Sequence, residues 1–154
     1  MSSLKYINEP GAGQKHSDMA HYSQIVVIGN VAKLSGQGGW DETGDLGDYE
    51  WKQQIDNAFD NVDRVLKAAG FRGWEDVGSK PPAPKLSDLS NTIKKVYLLR
   101  SYQLDVVSHF EYLVEKLKQR IPGHRPIWTA VGVASLVFPA MSVELEVEAI
   151  KHET

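Results

Sequence analysis

The stretch HRPIWTAVGVASL, His124 to Leu136, decides how this chain is read. Ile127 to Val133 has the pattern of a strand, in which side chains alternate between faces. One face carries Trp128 followed by the small residues Ala130, Gly132 and Ala134. The other carries Ile127, Thr129, Val131 and Val133, all β-branched, and suits packing against helices. The alternation therefore predicts a filled face and a hollow one, with a lone indole beside the hollow.

Working outward, Val143 to Ala149 alternates in the same way. Gln24 to Ile28 and Val31 to Ser35 are strand-like, and Gly29-Asn30 between them is a two-residue hairpin signal. Gly11 to Gly13 reads as a loop after a short first segment, Leu4 to Asn8. The acidic, glycine-rich Gly36 to Asp48 reads as an exposed loop. From Tyr49 to Ala69, the positions Ile55, Ala58, Phe59, Val62, Val65, Leu66 and Ala69 form one helical stripe, with Gly70 as its stop. Thr92 to Leu99 is strand-like. Asp105 to Arg120 is a second amphipathic helix, ended by Pro122-Gly123. Between them Pro81, Pro82 and Pro84 mark residues 78–91 as a proline-rich surface insertion.

The order is β-β-α-β-α-β-β in one domain spanning 1–154, an α+β architecture with helices on one face of a sheet. The small apolar residues beside Trp128 leave the other face to be covered by further copies of the chain, an oligomer.

Bulk properties narrow the function. With 17 Lys and Arg against 20 Asp and Glu, the net charge is −3. That balance argues against a nucleic-acid partner, which needs a basic face. The chain has no cysteine, which removes thiolate ligands and a cysteine nucleophile. Five histidines, His16, His21, His109, His124 and His152, form no HxH or HExxH spacing, so no metal is expected. Asp41, Glu42, Asp45 and Asp48 do not have the spacing of an EF-hand loop. No apolar run approaches the roughly 20 residues of a membrane span, and MSSLKYINEPGAG lacks the apolar core of a secretory signal. Cytoplasmic localisation without membrane contact is the expectation.

Five stretches, in order, resemble the RidA/YjgF/UK114 family: HYSQ with VVIGNVAKLSGQ (21–37), AFDNVDRVLKAAG (58–70), KKVYLL (94–99), RPIWTAVGVASL (125–136) and VELEVEA (143–149). The resemblance implies a chorismate-mutase-like fold, a homotrimer with sheets packed inward, and ligand clefts at the subunit interfaces. It further implies cofactor-independent hydrolysis of enamines or imines to an oxo compound and ammonia. Carried over residue by residue, Tyr22 is a pocket tyrosine and Ser35, Gly36 and Gln37 form the SGQ end of a strand near the cleft. Glu144 is the acid that orients water, with Glu146 as the alternative two residues on. Trp128 departs from the pattern, standing where enamine-hydrolysing members keep a carboxylate-gripping arginine. Val107 lies nearest a position where many of them have asparagine.

An indole cannot offer the paired donors of a guanidinium, but it stacks on planar ligands or faces a cation. The expected ligand is therefore small and planar or aromatic, bound by Tyr22, Ser35, Gly36, Gln37, Trp128 and Ala130. Arg125 replaces the missing cation only if its loop folds back. Two other readings stay open: a non-catalytic small-molecule-binding module, and a ribonuclease, which the acidic composition disfavours.

Overall fold

The computed structural model describes residues 3–74 and 94–151; the proline-rich stretch 78–91 lies outside the described residues. The elements in order are β1 (Leu4–Ile7), α1 (Ala12–Ala20), β2 (Ile25–Ile28), β3 (Val31–Leu34), β4 (Gln37–Gly38), α2 (Trp51–Ala68), β5 (Lys94–Gln103), α3 (Val106–Arg120), β6 (Ile127–Gly132) and β7 (Val143–Lys151). They form one seven-stranded sheet in the order β1-β2-β3-β7-β5-β6, with β4 also paired to β7. β5 and β6 run parallel; the other pairs are antiparallel.

β7 is the central strand, and its alternation sets the two faces of the sheet. Val143, Leu145, Val147 and Ala149 are buried, packing with Ile55, Phe59, Val62 and Leu66 of α2 and Leu113 of α3. On the opposite face stand Glu144, Glu146 and Glu148. β5 follows suit with Leu99, Ser101 and Gln103 inward and Arg100 and Tyr102 outward. Val96 and Leu99 both point inward although they are three apart, because the register with β7 shifts between Val96 and Leu98. Such a bulge adds one residue to a strand without turning its core face over.

The α2 stripe read from sequence is the helix side of the core. Phe59, 0 % exposed, tilts against Trp74 at 4.7 Å between ring centroids, and the Trp74 indole N–H donates to the Phe59 carbonyl oxygen at 2.8 Å. Asp105 caps α3 by accepting from the Ser108 amide at 3.0 Å.

Four readings from sequence need correction. The Gly11–Gly13 stretch opens a helix, α1, whose nine residues lack an apolar stripe long enough to announce it. Gln37–Gly38 leaves the predicted loop to pair with Leu145 and Glu144. β5 continues past Leu99 to Gln103, since Arg100 and Tyr102 are polar only on the outer face.

The faces of β6 are also reversed. Trp128 pairs in register with the inward Leu99, and a Cβ on Gly132 would stand 3.1 Å from Val106 of α3. Trp128, Ala130 and Gly132 therefore face the helix layer. The small size of Ala130 and Gly132 admits α3 on that face. Ile127 and Val131, 67 % and 38 % exposed, lie on the outer face.

Phe59→Ala is expected to cost about 3–5 kcal/mol, read as a lower urea midpoint with little change in slope. A cost under 1 kcal/mol would mean that α2 is not packed as described.

Candidate functional site

The outer face of the sheet holds a polar ladder. Arg100 donates to Glu146 at 2.9 Å, the Tyr102 hydroxyl to Glu146 at 3.0 Å, and Lys33 to Glu148 at 3.4 Å. The Tyr97 hydroxyl donates to Glu148. Those contacts hold Glu148 below the usual carboxylate range, with the Tyr97 hydroxyl the largest cause. Glu144 differs. It pairs in register with Gly38 on one side and Tyr102 on the other. Burial, and then the nearby Glu146 charge, push its carboxyl up.

Glu144 lines a cavity of about 240 Å³ with Tyr22, Ser35, Gly36, His16, Met19, Ala20, Trp40, Val137, Phe138 and Met141. The fold brings these together from four directions: α1 and its C-terminal turn, the β3–β4 corner, the 137–141 loop, and β7. Gly36 lets the carboxyl lie against the corner, because a Cβ there would stand 1.7 Å from the Glu144 Oε1 and the Glu144 side chain would have to move. Tyr22 is half-buried, and its hydroxyl is pushed up by burial first and by the Glu144 charge second. The two acids thus share a part-buried space, the kind of setting in which pKa values are tuned.

A buried amide cluster holds the corner. The Ser35 hydroxyl donates to the Gln24 carbonyl oxygen at 3.1 Å. The Gln37 amide donates to the Ser35 carbonyl oxygen at 3.0 Å, and the Gln24 amide to Gln37 Oε1 at 3.3 Å. Gln24 Oε1 in turn accepts from the Glu9 amide at 2.8 Å. Gln37 is therefore fully buried in the support of the cavity and does not line it.

The opposite wall hangs from α2. Asn61 donates to the carbonyl oxygens of Gly38 and Trp40, both at 2.8 Å, and Gln54 to that of Ala140 at 2.8 Å. Gln54 also accepts from the Ser142 amide at 2.8 Å. Gln54 and Asn61, seven residues apart on the buried side of α2, interrupt an otherwise apolar stripe. That interruption was the one sequence signal for these supporting residues.

The remaining candidates lie elsewhere. The Trp128 indole N–H donates to the Ser101 hydroxyl at 2.8 Å, and its ring stacks on Phe110 at 5.4 Å. With Arg125, Lys118, Leu117, Ile121 and Pro126 it lines a separate groove of about 460 Å³. The loop does fold so that Arg125 and Trp128 share a groove. Neither residue, nor Ala130, joins the cavity of Glu144 within this chain. Glu146, the alternative to Glu144, is taken up by Arg100 and Tyr102. Sequence reasoning missed His16, Met19, Trp40, Phe138 and Met141. His16 sits edge-on to Trp40 at 4.9 Å and its Nε2 lies 3.1 Å from the Gly44 carbonyl oxygen. Among the described residues no group of three or more His, Cys, Asp or Glu side chains is placed to hold a metal ion.

The sequence profile of the family described as Endoribonuclease L-PSP matches residues 13–151. The chain belongs to that family. Its fold is shared with a YjgF/YER057c/UK114 family member from Mycobacterium tuberculosis, at 23 % identity over 96 % of this chain and 99 % of that one, TM-score 0.67. A Rid family protein of unknown function from Yersinia pestis is 18 % identical over 96 % and 99 %, with a TM-score of 0.72. Yeast Mmf1 is 20 % identical over 96 % and 98 %, with a TM-score of 0.69. No curated protein sequence matches the chain. The RidA-type α+β subunit fold expected from the five sequence stretches is therefore the one this family member has.

A raised carboxyl binds its proton more tightly in the folded state, so it favours folding at low pH and opposes it as pH rises through the folded-state pKa. Glu144→Gln should accordingly melt higher than wild type at pH 7, with the difference vanishing near pH 4. Equal melting temperatures at both pH values would remove the case for a desolvated Glu144.

Proposed function

We propose that this chain binds a small molecule in the Glu144 cavity and hydrolyses it as an enamine or imine, giving an oxo compound and ammonia. The observation that carries the reading is a half-buried carboxyl of raised pKa facing a small cavity, with Tyr22 and the backbone of Gly36 against it. A base works best when its pKa lies near the operating pH, and burial moves a glutamate in that direction.

The step balances without a cofactor. Water attacks the iminium carbon and its proton passes to the Glu144 carboxylate, while the C=N π electrons move to nitrogen. Glu144 then returns the proton to that nitrogen. The carbinolamine collapses as its hydroxyl proton goes to Glu144 and the C–N bond breaks; the departing ammonia takes that proton and leaves as ammonium, which restores the carboxylate. The Tyr22 hydroxyl, itself kept protonated, is a donor for the attacking water or, after attack, for the carbinolamine nitrogen. The buried Met141 and Trp40 side chains give the cavity an apolar back wall.

The proposal includes assembly as a homotrimer through the outer sheet face. Tyr6, Ile127 and Val131 are exposed on that face, and the Arg100–Glu146 ladder offers paired charges that a symmetric contact can keep satisfied. Light scattering at micromolar concentration should give three times the 17.2 kDa of the chain; a mass near that of one chain would dismiss this part.

With a freshly generated imine, wild type should release ammonia well above the buffer rate. Glu144→Gln should lower kcat about 100-fold or more. Gly36→Ala, which pushes the carboxyl out of place, should lower it while the far-UV spectrum stays native. Release no faster than in buffer, with the ligand still bound, would make this a binding module.

A further inference from the structure

We infer that the Glu144 cavity selects a small cation, so that its substrate is a protonated imine without a carboxylate; this rests on the hydrolytic reading for the reaction but not for the binding. Three aromatic residues, Tyr22, Trp40 and Phe138, line a space whose one acidic side chain is Glu144. Among the described residues of this chain, no lysine or arginine lines it. Lys33 belongs to the neighbouring groove that also contains Tyr22 and Ser35, and is paired with Glu148. Lys118 and Arg125 line the Trp128 groove on the helix side. Arg100 is engaged with Glu146 at 2.9 Å and lies 3.9 Å from Glu148.

Charge decides between ligands here. An anion entering the cavity would meet the part-buried Glu144 carboxylate, and among the described lining side chains only His16, which already contacts the Gly44 carbonyl oxygen, stands to offset it. A buried unpaired charge is costly. A cation gains twice, from the carboxylate and from the negative faces of the rings. An iminium ion is also the electrophilic form of an imine, so the group that binds is the group that reacts.

Size and apolar character narrow the class further. The cavity of about 240 Å³ adjoins a groove of about 810 Å³ with which it shares Tyr22 and Ser35, and Met19, Val137, Phe138 and Met141 supply apolar walls. The part of the molecule beside the cationic group is then a short aliphatic chain or small ring. Met19 and Val137, 65 % and 75 % exposed, leave the mouth open to it.

The test uses unreactive probes first. Isobutylammonium, isobutyrate and isobutanol are titrated into the full-length protein at pH 7.5 by calorimetry. Isobutylammonium should bind at least tenfold tighter than isobutyrate, and Glu144→Gln should lose at least tenfold of that affinity. Phe138→Leu keeps the apolar contact, removes the ring face and leaves the fold intact because Phe138 is 37 % exposed; it should weaken the ammonium about fivefold and isobutanol hardly at all. Isobutyrate binding as tightly as isobutylammonium, no detectable ammonium binding, or ammonium binding indifferent to Glu144→Gln would each overturn the inference.

Hydrolysis is then compared for the imine of isobutyraldehyde and for 2-iminobutanoate. Faster turnover of the first supports the inference, and faster turnover of the second overturns it while keeping the hydrolytic reading. If neither turns over yet the ammonium binds as described, the hydrolytic reading falls and the cation site stands.

Discussion

The structure depends on the alternation of β7. Four of its residues are in the core and three glutamates between them face the other way. A slip of one residue would bury three carboxylates and expose four apolar side chains, so the register has no near competitor. Every other position in the site is measured from that strand. β3 and β4 pair with one edge of it and β5 with the other, which puts Gly38 on one side of Glu144 and Tyr102 on the other.

One strand thus presents three identical side chains to three environments. Glu148 and Glu146 are taken into hydrogen bonds and ion pairs along the ladder, whereas Glu144 sits where β4 and the 137–141 loop close over the sheet. Divergent surroundings for like groups are how acid and base roles are separated. The closure costs buried polar groups. Gln24, Gln37, Gln54 and Asn61 meet that cost by hydrogen-bonding one another or the wall backbone, which makes them positioning residues for the cavity.

Trp128 shows how one assignment misleads when a residue is read by pattern alone. On a strand with small neighbours it looks like one side of an empty cleft. In the fold the small neighbours admit α3, and the indole is a packing residue with a satisfied N–H. Trp128 therefore supplies no aromatic surface to the Glu144 cavity in the same chain. The aromatic lining there comes from Tyr22, Trp40 and Phe138.

The sequence by itself determined the α+β class, the two long helices, the strands β2, β3, β6 and β7, and the family, because each rests on local periodicity or on short motifs in a fixed order. It also singled out Tyr22, Ser35, Gly36 and Glu144, through the resemblance. Only the tertiary structure decided which face of β6 meets the helices, since period two separates the faces without saying which is inside. It also decided that Glu144, rather than Glu146, is left without a cationic partner among the described residues, and that Gln37 supports the cavity from behind. α1 was invisible locally because its short helix depends on contacts such as Gly13 against Gln24 and His16 against Trp40. Residues 16, 22, 36, 40, 138 and 144 are distant in the chain, and their meeting is a property of strand pairing that no local pattern carries.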